Sequence, residues 1–397
     1  MKRGWTTAAL GELCEITIGR TPSRAEPSYW DGPHPWLSIA DMGSSATIDR
    51  TKEGVTDDAA AKAAGRLVPA GTVVLSFKLS IGKVGVTARP MFTNEAIAAL
   101  QPRTNNLDPG YLSYQLRNLD LAASANRAAM GGTLNKKTLA EIPLALPPLD
   151  EQRRIAALLD HVDALRTRRR QYVSESSKLL DSLFWSLFGD PLDPANPLPR
   201  KEIGSIGSIL TGNSPSRSIA ENFGEHIEWI KTDNIVPGQL QPTPAAERLS
   251  ETGASKARIV PENSVLVACI AGSRSSIGRA ALTDREVAFN QQINAIIPTE
   301  VAPRFLHAQL TIAPELVRSR STGGMKGLVN KSSFSAIEIL NPPRDAQDEF
   351  AIRAERLDRV RLAAVCHLAE LDALFASLQA RAFAGELDVD NVRLPST

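Results

Sequence analysis

The chain has 397 residues, 43% of them hydrophobic and 22% charged, the balance of a folded protein of two to four domains rather than a disordered one. No uninterrupted apolar run reaches the ~20 residues that span a bilayer, and the N-terminal MKRGWTTAALGELCE has no signal-peptide core, so a cytoplasmic chain without a membrane partner is expected. A net charge of +1 does not mark a nucleic-acid binder by itself, and three scattered cysteines (Cys14, Cys269, Cys366) fit neither a disulfide framework nor a four-ligand zinc site.

Residues 1–149 read as short β-branched strands punctuated by Gly and Pro turns, with a helical patch around Tyr111–Leu121. The block is slightly basic, with 16 Lys and Arg against 13 Asp and Glu. Residues 150–190 follow as a long helix and the start of a proline-rich linker. The helix opens after Pro147-Pro148 with Asp150, and no Pro or Gly interrupts it from Glu151 to Phe188. Ile155, Leu158, Val162, Leu165, Tyr172, Leu179 and Leu183 lie on a heptad pattern interrupted by Arg169 and Ser176. The run Arg166–Arg170 is expected to face solvent or a partner. GDPLDPANPLPR ends the helix, because proline cannot continue it.

Residues 191–344 then repeat the first block, and residues 345–397 give a second long helix and a tail. LGELCEITIGRTPS (10–23) returns as IGSIGSILTGNSPS (203–216), and Trp36 in WLSIADM returns as Trp229 in WIKTDNI, both at a spacing of 193. LVPAGTVVLS (67–76), SIGKVGV (80–86) and TNEAI (93–97) return as IVPENSVLVA (259–268), SIGRAAL (276–282) and FNQQI (289–293). GGTLNKK (131–137) echoes GGMKGLVNKS (323–332), and ALPPLDEQ (145–152) returns as LNPPRDAQ (340–347). A register kept across this many blocks is an internal duplication. In the second helix Phe350, Leu357, Val360, Ala364, Leu371, Leu374 and Leu378 take the heptad positions. Each long helix needs a partner for its stripe, and each copy supplies one to the other.

This arrangement resembles the specificity subunit of Type I restriction–modification systems, over residues 5–388. The match rests on PPLDEQRRIAALLD (147–160), WLSIADM and WIKTDNI, the Gly82-Lys83 and Gly278-Arg279 hairpins, and the paired glycine loops. It implies a mixed α/β (α+β) fold with two tandem target recognition domains. Two long helices would pair as an antiparallel coiled coil, with pseudo-twofold internal symmetry. Each domain would read one half of an asymmetric bipartite site in double-stranded DNA. The helices would dock two methyltransferase subunits, and through them the restriction subunits. The chain itself would hold no cofactor, with S-adenosylmethionine, ATP and magnesium on partner subunits. The second copy departs at Ala346, where the first has Glu151.

Catalytic patterns are missing. There is no P-loop, no Asp-x-Lys or Glu-x-Lys nuclease triplet and no His-Glu-x-x-His, and Asn341-Pro342-Pro343 is followed by Arg344 rather than the aromatic of amino-methyltransferases. A non-catalytic subunit is expected, with a coiled-coil scaffold that does not read DNA as the alternative. Phosphate contacts need Lys, Arg and small polar groups on loops. In the first copy the candidates are Arg20, Ser23, Arg24, Lys78, Lys83, Arg89, Lys136 and Lys137. In the second they are Ser216, Arg217, Lys231, Arg274, Arg279, Arg320, Lys326 and Lys331. Trp36 and Trp229 are expected in the core. Asn94 and Asn290 suit either adenine recognition or the capping of a turn.

Overall fold

The computed structural model describes residues 4–43, 47–121, 134–322 and 327–392, which form two compact units. The first takes Met1–Arg168 with Leu368–Thr397, the second Arg169–His367, so each long helix contributes to both. Strands and helices are mixed in each unit, as the β-branched runs and helical segments of the sequence predict.

In the first unit a five-stranded sheet runs in the order Cys14–Ile18, Ile97–Pro102, Val73–Ser76, Val84–Thr87, Thr47–Ile48, antiparallel except for the last pair. A three-stranded sheet places Trp30–Leu37 between Glu53–Val55 and Phe92–Thr93. The second unit repeats the order over Gly207–Thr211, Ile293–Pro298, Val265–Ala268 and Ala280–Leu282. Its other sheet runs Arg248–Leu249, Phe223–Ile230, Val287–Phe289, Ile259–Val260. Val73, Val74 and Leu75, like Val265, Leu266 and Val267, are fully buried. Apolar cover on both faces explains why these strands are continuous β-branched runs rather than alternating ones.

The Pro-Pro-x-x-x-Gln motif has a structural role in each unit. Gln152 is fully buried: its carbonyl accepts from the Asp108 amide at 2.9 Å, and its amide donates to the Asn106 and Pro147 carbonyls at 2.9 Å. Gln347 accepts from the Ala302 amide at 2.9 Å and donates to the Pro342 carbonyl at 2.8 Å. Each glutamine thus ties the first turn of a long helix, Leu149–Phe188 or Arg344–Ala384, to the start of a short one, Pro109–Asn118 or Pro303–Ile312. Glu151 accepts from the Trp5 indole at 3.1 Å, whereas Ala346 packs against an apolar cluster, which accounts for that divergence between the copies. Asn341 belongs to the same helix start, bonded by Gln347 at 3.3 Å.

The heptad assignment holds at Val162, Leu357, Ala364, Leu371 and Leu378 and needs a one-residue correction at the alternate positions. Leu165, Tyr172, Leu179, Val360 and Leu374 are exposed. The less exposed stripe instead runs Leu159, Val162, Arg166, Arg169, Val173, Ser176, Leu180 on the first helix and Leu357, Arg361, Ala364, Leu368, Leu371, Phe375, Leu378 on the second. Three arginines and a serine lie on this inner stripe; Arg169 and Ser176 already interrupted the sequence pattern, and at Arg166 and Arg361 apolarity alone pointed to the neighbouring positions. Arg166, expected outside, is 16% exposed; it pairs with Asp163 and Asp372 at 2.7 Å and covers the Phe375 ring at 4.1 Å. Within the first unit the segments run in opposite directions, since Arg166 meets Asp372 while Arg154 meets Asp390. The second unit closes on four rings, with Phe184 5.5 Å from both Phe305 and Phe350, and Phe188 5.0 Å from Phe305.

An 18-residue window of Arg344–Ala384 reaches a mean hydropathy of 1.3, long and apolar enough to cross a membrane by composition, although charged residues interrupt it. Only 6% of that window is buried.

His307 gives the second unit a pH signature. Burial and the neighbouring Arg304 guanidinium, 3.3 Å from Nδ1, push its pKa down to about 3. Above the unfolded value of about 6.5 the ring is neutral in both states. As pH falls below that value only the unfolded chain takes the proton, so stability is lost with acidification. Between pH 7.5 and 5 the loss from this group is about 2 kcal/mol. Urea unfolding across that range checks it, and His307→Gln should remove that share of the slope.

Candidate nucleic-acid interface

Three segments meet at one edge of the first unit. Gly19 donates from its amide to the Ile97 carbonyl at 3.1 Å and Arg20 to the Thr93 carbonyl at 2.7 Å, laying 19–24 beside the turn at 93–97. The Thr21 hydroxyl bonds the Glu95 carboxylate across the same seam. The Phe77 amide donates to the Ala96 carbonyl at 3.0 Å, which brings in the Phe77–Lys83 loop. Only glycine fits at 19, because a methyl there would lie 2.1 Å from the Thr93 carbonyl oxygen.

The second unit builds the same edge from the returning sequence blocks. Gly212 donates to the Ile293 carbonyl at 3.1 Å, and a methyl on it would lie 2.1 Å from the Asn290 carbonyl oxygen. Ser214 bonds Gln291, and the Cys269 and Ile270 amides donate to the Gln292 carbonyl at 2.8 and 3.1 Å. A further segment joins this edge in the second unit. Ile270–Ala271 pairs with Gly327–Leu328, and the Arg318 guanidinium donates to the Ile277 and Ser275 carbonyls at 2.8 and 2.9 Å. Residues 270–279 are therefore neighbours of 318–322 and 327–331, as independent stretches of sequence 40 residues or so apart could not reveal.

The candidate residues divide into two groups. Arg20, Ser23, Lys78, Arg89, Lys136, Lys137, Ser216, Arg274, Arg320 and Lys331 are exposed, and Arg279 is half-buried. Lys136 and Lys137 open a short helix capped by Asn135, and Lys331 opens one capped by Asn330. Arg89 lines a cleft of about 430 Å³ that also holds Asp31, Asp49 and Glu53, so its surroundings are of mixed sign. Lys326 lies outside the described residues.

Four further candidates have partners within their own unit, although Arg24 and Arg217 remain exposed. Arg24 donates to Glu53 at 2.9 Å and lies 3.7 Å over the Trp30 ring. Arg217 donates to Glu247 at 2.9 Å and lies 5.8 Å from the Trp229 ring. Lys231 reaches Glu247 at 2.6 Å, and Lys83 donates to the Ile39 carbonyl at 3.1 Å. The Arg24 hydrogen bond holds the Glu53 carboxyl below the usual carboxylate range, and Lys231 does the same for Glu247. A guanidinium already paired with a carboxylate and set against an indole gains less from phosphate than a solvated one. The two carboxylates stand 29 and 30 residues from their arginines, too far for a sequence reading to pair them.

Trp36 and Trp229 are core residues, 2% and 3% exposed, whose indoles donate to the Arg20 carbonyl at 3.1 Å and the Asn213 carbonyl at 3.3 Å. Asn94 and Asn290 cap their turns, accepting from the Ala96 and Gln292 amides at 3.1 Å. Sequence reasoning missed Glu95 and Gln291, which sit at the centre of each edge. Their signal was the offset between TNEAI and FNQQI: a constant Asn followed by residues of different hydrogen-bonding sense. Burial pushes the Cys14 and Cys269 thiols up to about 12, so both are unreactive. Among the described residues no group of three His, Cys, Asp or Glu gathers to hold a metal.

Gly19→Ala is expected to displace the 19–24 segment from the turn at 93–97 while the sheet remains. Hydrogen exchange should show faster loss of protection at the Arg20 amide with unchanged far-ultraviolet circular dichroism.

The family model for the Type I restriction modification DNA specificity domain matches this chain twice, over residues 2–174 and 199–366. The chain belongs to that family. Among specificity-domain relatives, the Type I restriction enzyme MjaIX specificity subunit of Methanocaldococcus jannaschii is 26% identical over 257 residues, 59% of each chain. The HindI specificity subunit of Haemophilus influenzae is 32% identical over 36% of this chain and 32% of its own. The chain thus spans less than two thirds of the length of these curated relatives. In structure it is similar to the Type I restriction–modification S subunit of M. genitalium, with a TM-score of 0.60 and 14% identity over 96% of both chains. A chain solved in work on the assembly and conformational transition of a Type I system gives 0.59 and 19% identity, covering 98% of this chain and 99% of that one. Likeness at this identity shows a shared fold.

Proposed function

We propose that the chain is the DNA-reading subunit of a Type I restriction–modification complex, acting in the cytoplasm. Residues 1–149 and 191–344 serve as its two target recognition domains, one for each half of an asymmetric bipartite site. The observation that carries this reading is the pair of matching edges. Each unit holds the same backbone seam between its Gly-x-x-x-Ser-Arg segment and its Asn turn, yet the side chains set on the seam differ, Glu95 against Gln291 and Lys78 against Arg274. A fixed frame with exchanged hydrogen-bonding groups suits two different base sequences, since carboxylates accept from cytosine and amides pair with adenine.

Two helices of 40 and 41 residues support the further proposal that residues 150–190 and 345–397 join as an antiparallel coiled coil with pseudo-twofold symmetry, which fixes the spacer between half-sites. Exposed Tyr172, Leu179, Trp185, Val360, Leu362 and Val365 give these helices an apolar surface suited to two methyltransferase subunits, which bring the restriction subunits with them. Catalysis and the S-adenosylmethionine, ATP and magnesium that it needs belong to those partners. The alternative, a scaffold that does not read DNA, has no use for paired basic edges. Binding to a duplex library by the chain with its methyltransferase subunits tests the reading. Enrichment of one bipartite motif, with affinity falling steeply between 50 and 200 mM salt, is expected. An unselected library would favour the scaffold.

A further inference from the structure

Leu79 is the most exposed large apolar side chain among the described residues, 93% accessible, and its φ of +60° lies in the left-handed region that leucine avoids. The loop that holds it is firmly closed. The buried Ser76 hydroxyl donates to the Ser80 carbonyl at 2.5 Å and accepts from the Lys83 amide at 3.0 Å. The Gly82 amide donates to the Ser76 carbonyl at 2.9 Å, and the Ser76 amide donates to the Lys83 carbonyl at 2.9 Å. Phe77 anchors the loop below, 2% exposed. Both an unfavourable backbone and an unfavourable solvent contact are therefore imposed on one side chain, and such imposed strain gathers at functional sites.

We propose that Leu79 is a wedge that enters between two stacked base pairs of the half-site read by the first unit. The proposal rests on the DNA-reading function above. Residues 77–89 contain no acid, and exposed Lys78 stands beside the leucine to meet phosphate. The same loop adjoins the Asn94–Ala96 turn through the Phe77 amide, so the wedge shares an edge with Arg20 and Ser23. A single apolar side chain displayed beside a cation suits partial unstacking of a duplex, and pyrimidine–purine steps yield most readily. The second unit lacks the device. Its loop is four residues longer, and Ser275, the residue before the repeated Ser-Ile-Gly, has its carbonyl fastened by Arg318. One half-site is unstacked and the other is not, so the first unit discriminates by deformability as well as by hydrogen bonds.

The test uses the full chain with its methyltransferase subunits and a duplex carrying the motif that the complex methylates. 2-Aminopurine is placed in turn at each purine other than the methylated adenine. Wild type should brighten at one step of one half-site only. Leu79→Ala should abolish that signal and weaken specific binding about 10- to 100-fold, with the salt dependence unchanged. Leu79→Met should keep both. Leu79→Gly relieves the backbone, so it should raise Tm while losing the signal. Unchanged fluorescence and affinity in Leu79→Ala would overturn the proposal, as would loss of the methyltransferase from that variant, which would make Leu79 a protein contact. A wild-type complex with no sequence preference would overturn the recognition reading itself, and the wedge with it.

Discussion

Phe184→Ala is expected to lower the unfolding free energy of the second unit by about 3–5 kcal/mol, the cost of a large cavity in a closed core. Phe184 is fully buried and touches three other rings: Phe188 at 5.1 Å, Phe305 at 5.5 Å and Phe350 at 5.5 Å. Those rings come from both long helices and from Pro303–Ile312, so collapse around the void would have to move three elements at once. Phe184→Leu keeps much of the volume and should cost less. Chemical denaturation of the two variants, followed by a probe in the second unit, checks both values. A loss below about 1 kcal/mol for the alanine variant would mean that the ring cluster does not hold the helices to this globule.

Arg274→Glu combined with Arg320→Glu is the change expected to weaken DNA binding most. The two side chains stand on loops that the Arg318 hydrogen bonds and the 270–271 with 327–328 strand pairing bring together, so both can face one stretch of backbone. Neither supports the fold, because both are exposed, and reversal should leave Tm nearly unchanged. Each lost phosphate contact lowers the slope of log affinity against log salt by about 0.9, and two such losses with two added repulsions should weaken binding on the order of 100-fold or more at physiological salt. The same reversal at Arg217 should instead disturb the unit, because it breaks the Glu247 pair and the contacts with Phe223 and Trp229. A titration at several salt concentrations separates these outcomes.

Much of the fold is legible in the duplicated register, because it marks Gly19 and Gly212, Trp36 and Trp229, and Gln152 and Gln347 as pairs that one physical role must explain. The structure supplied the roles: a close carbonyl, an indole bonded to the chain opposite, and an amide tying two helices. What the sequence could not show were partners distant along the chain. The pairing of Arg24 with Glu53 and of Arg217 with Glu247 is such a case. Alternate positions of the helix stripes were offset by one residue, because Arg166 and Arg361 occupy inner positions that an apolar count rejects. Leu79 was passed over among lysines, since nothing in a run of residues reveals a backbone angle.

The central claim, that two recognition edges on one chain read the two halves of a DNA site, is tested most directly by mapping N6-methyladenine across a genome that expresses the chain with its methyltransferase subunits. The comparison strain lacks this chain alone, and a third carries Arg274→Glu with Arg320→Glu. One bipartite motif should be methylated in the first strain, lost in the second, and lost or degraded in the third. An identical methylome in all three, with the methyltransferase shown to be active, would contradict the account.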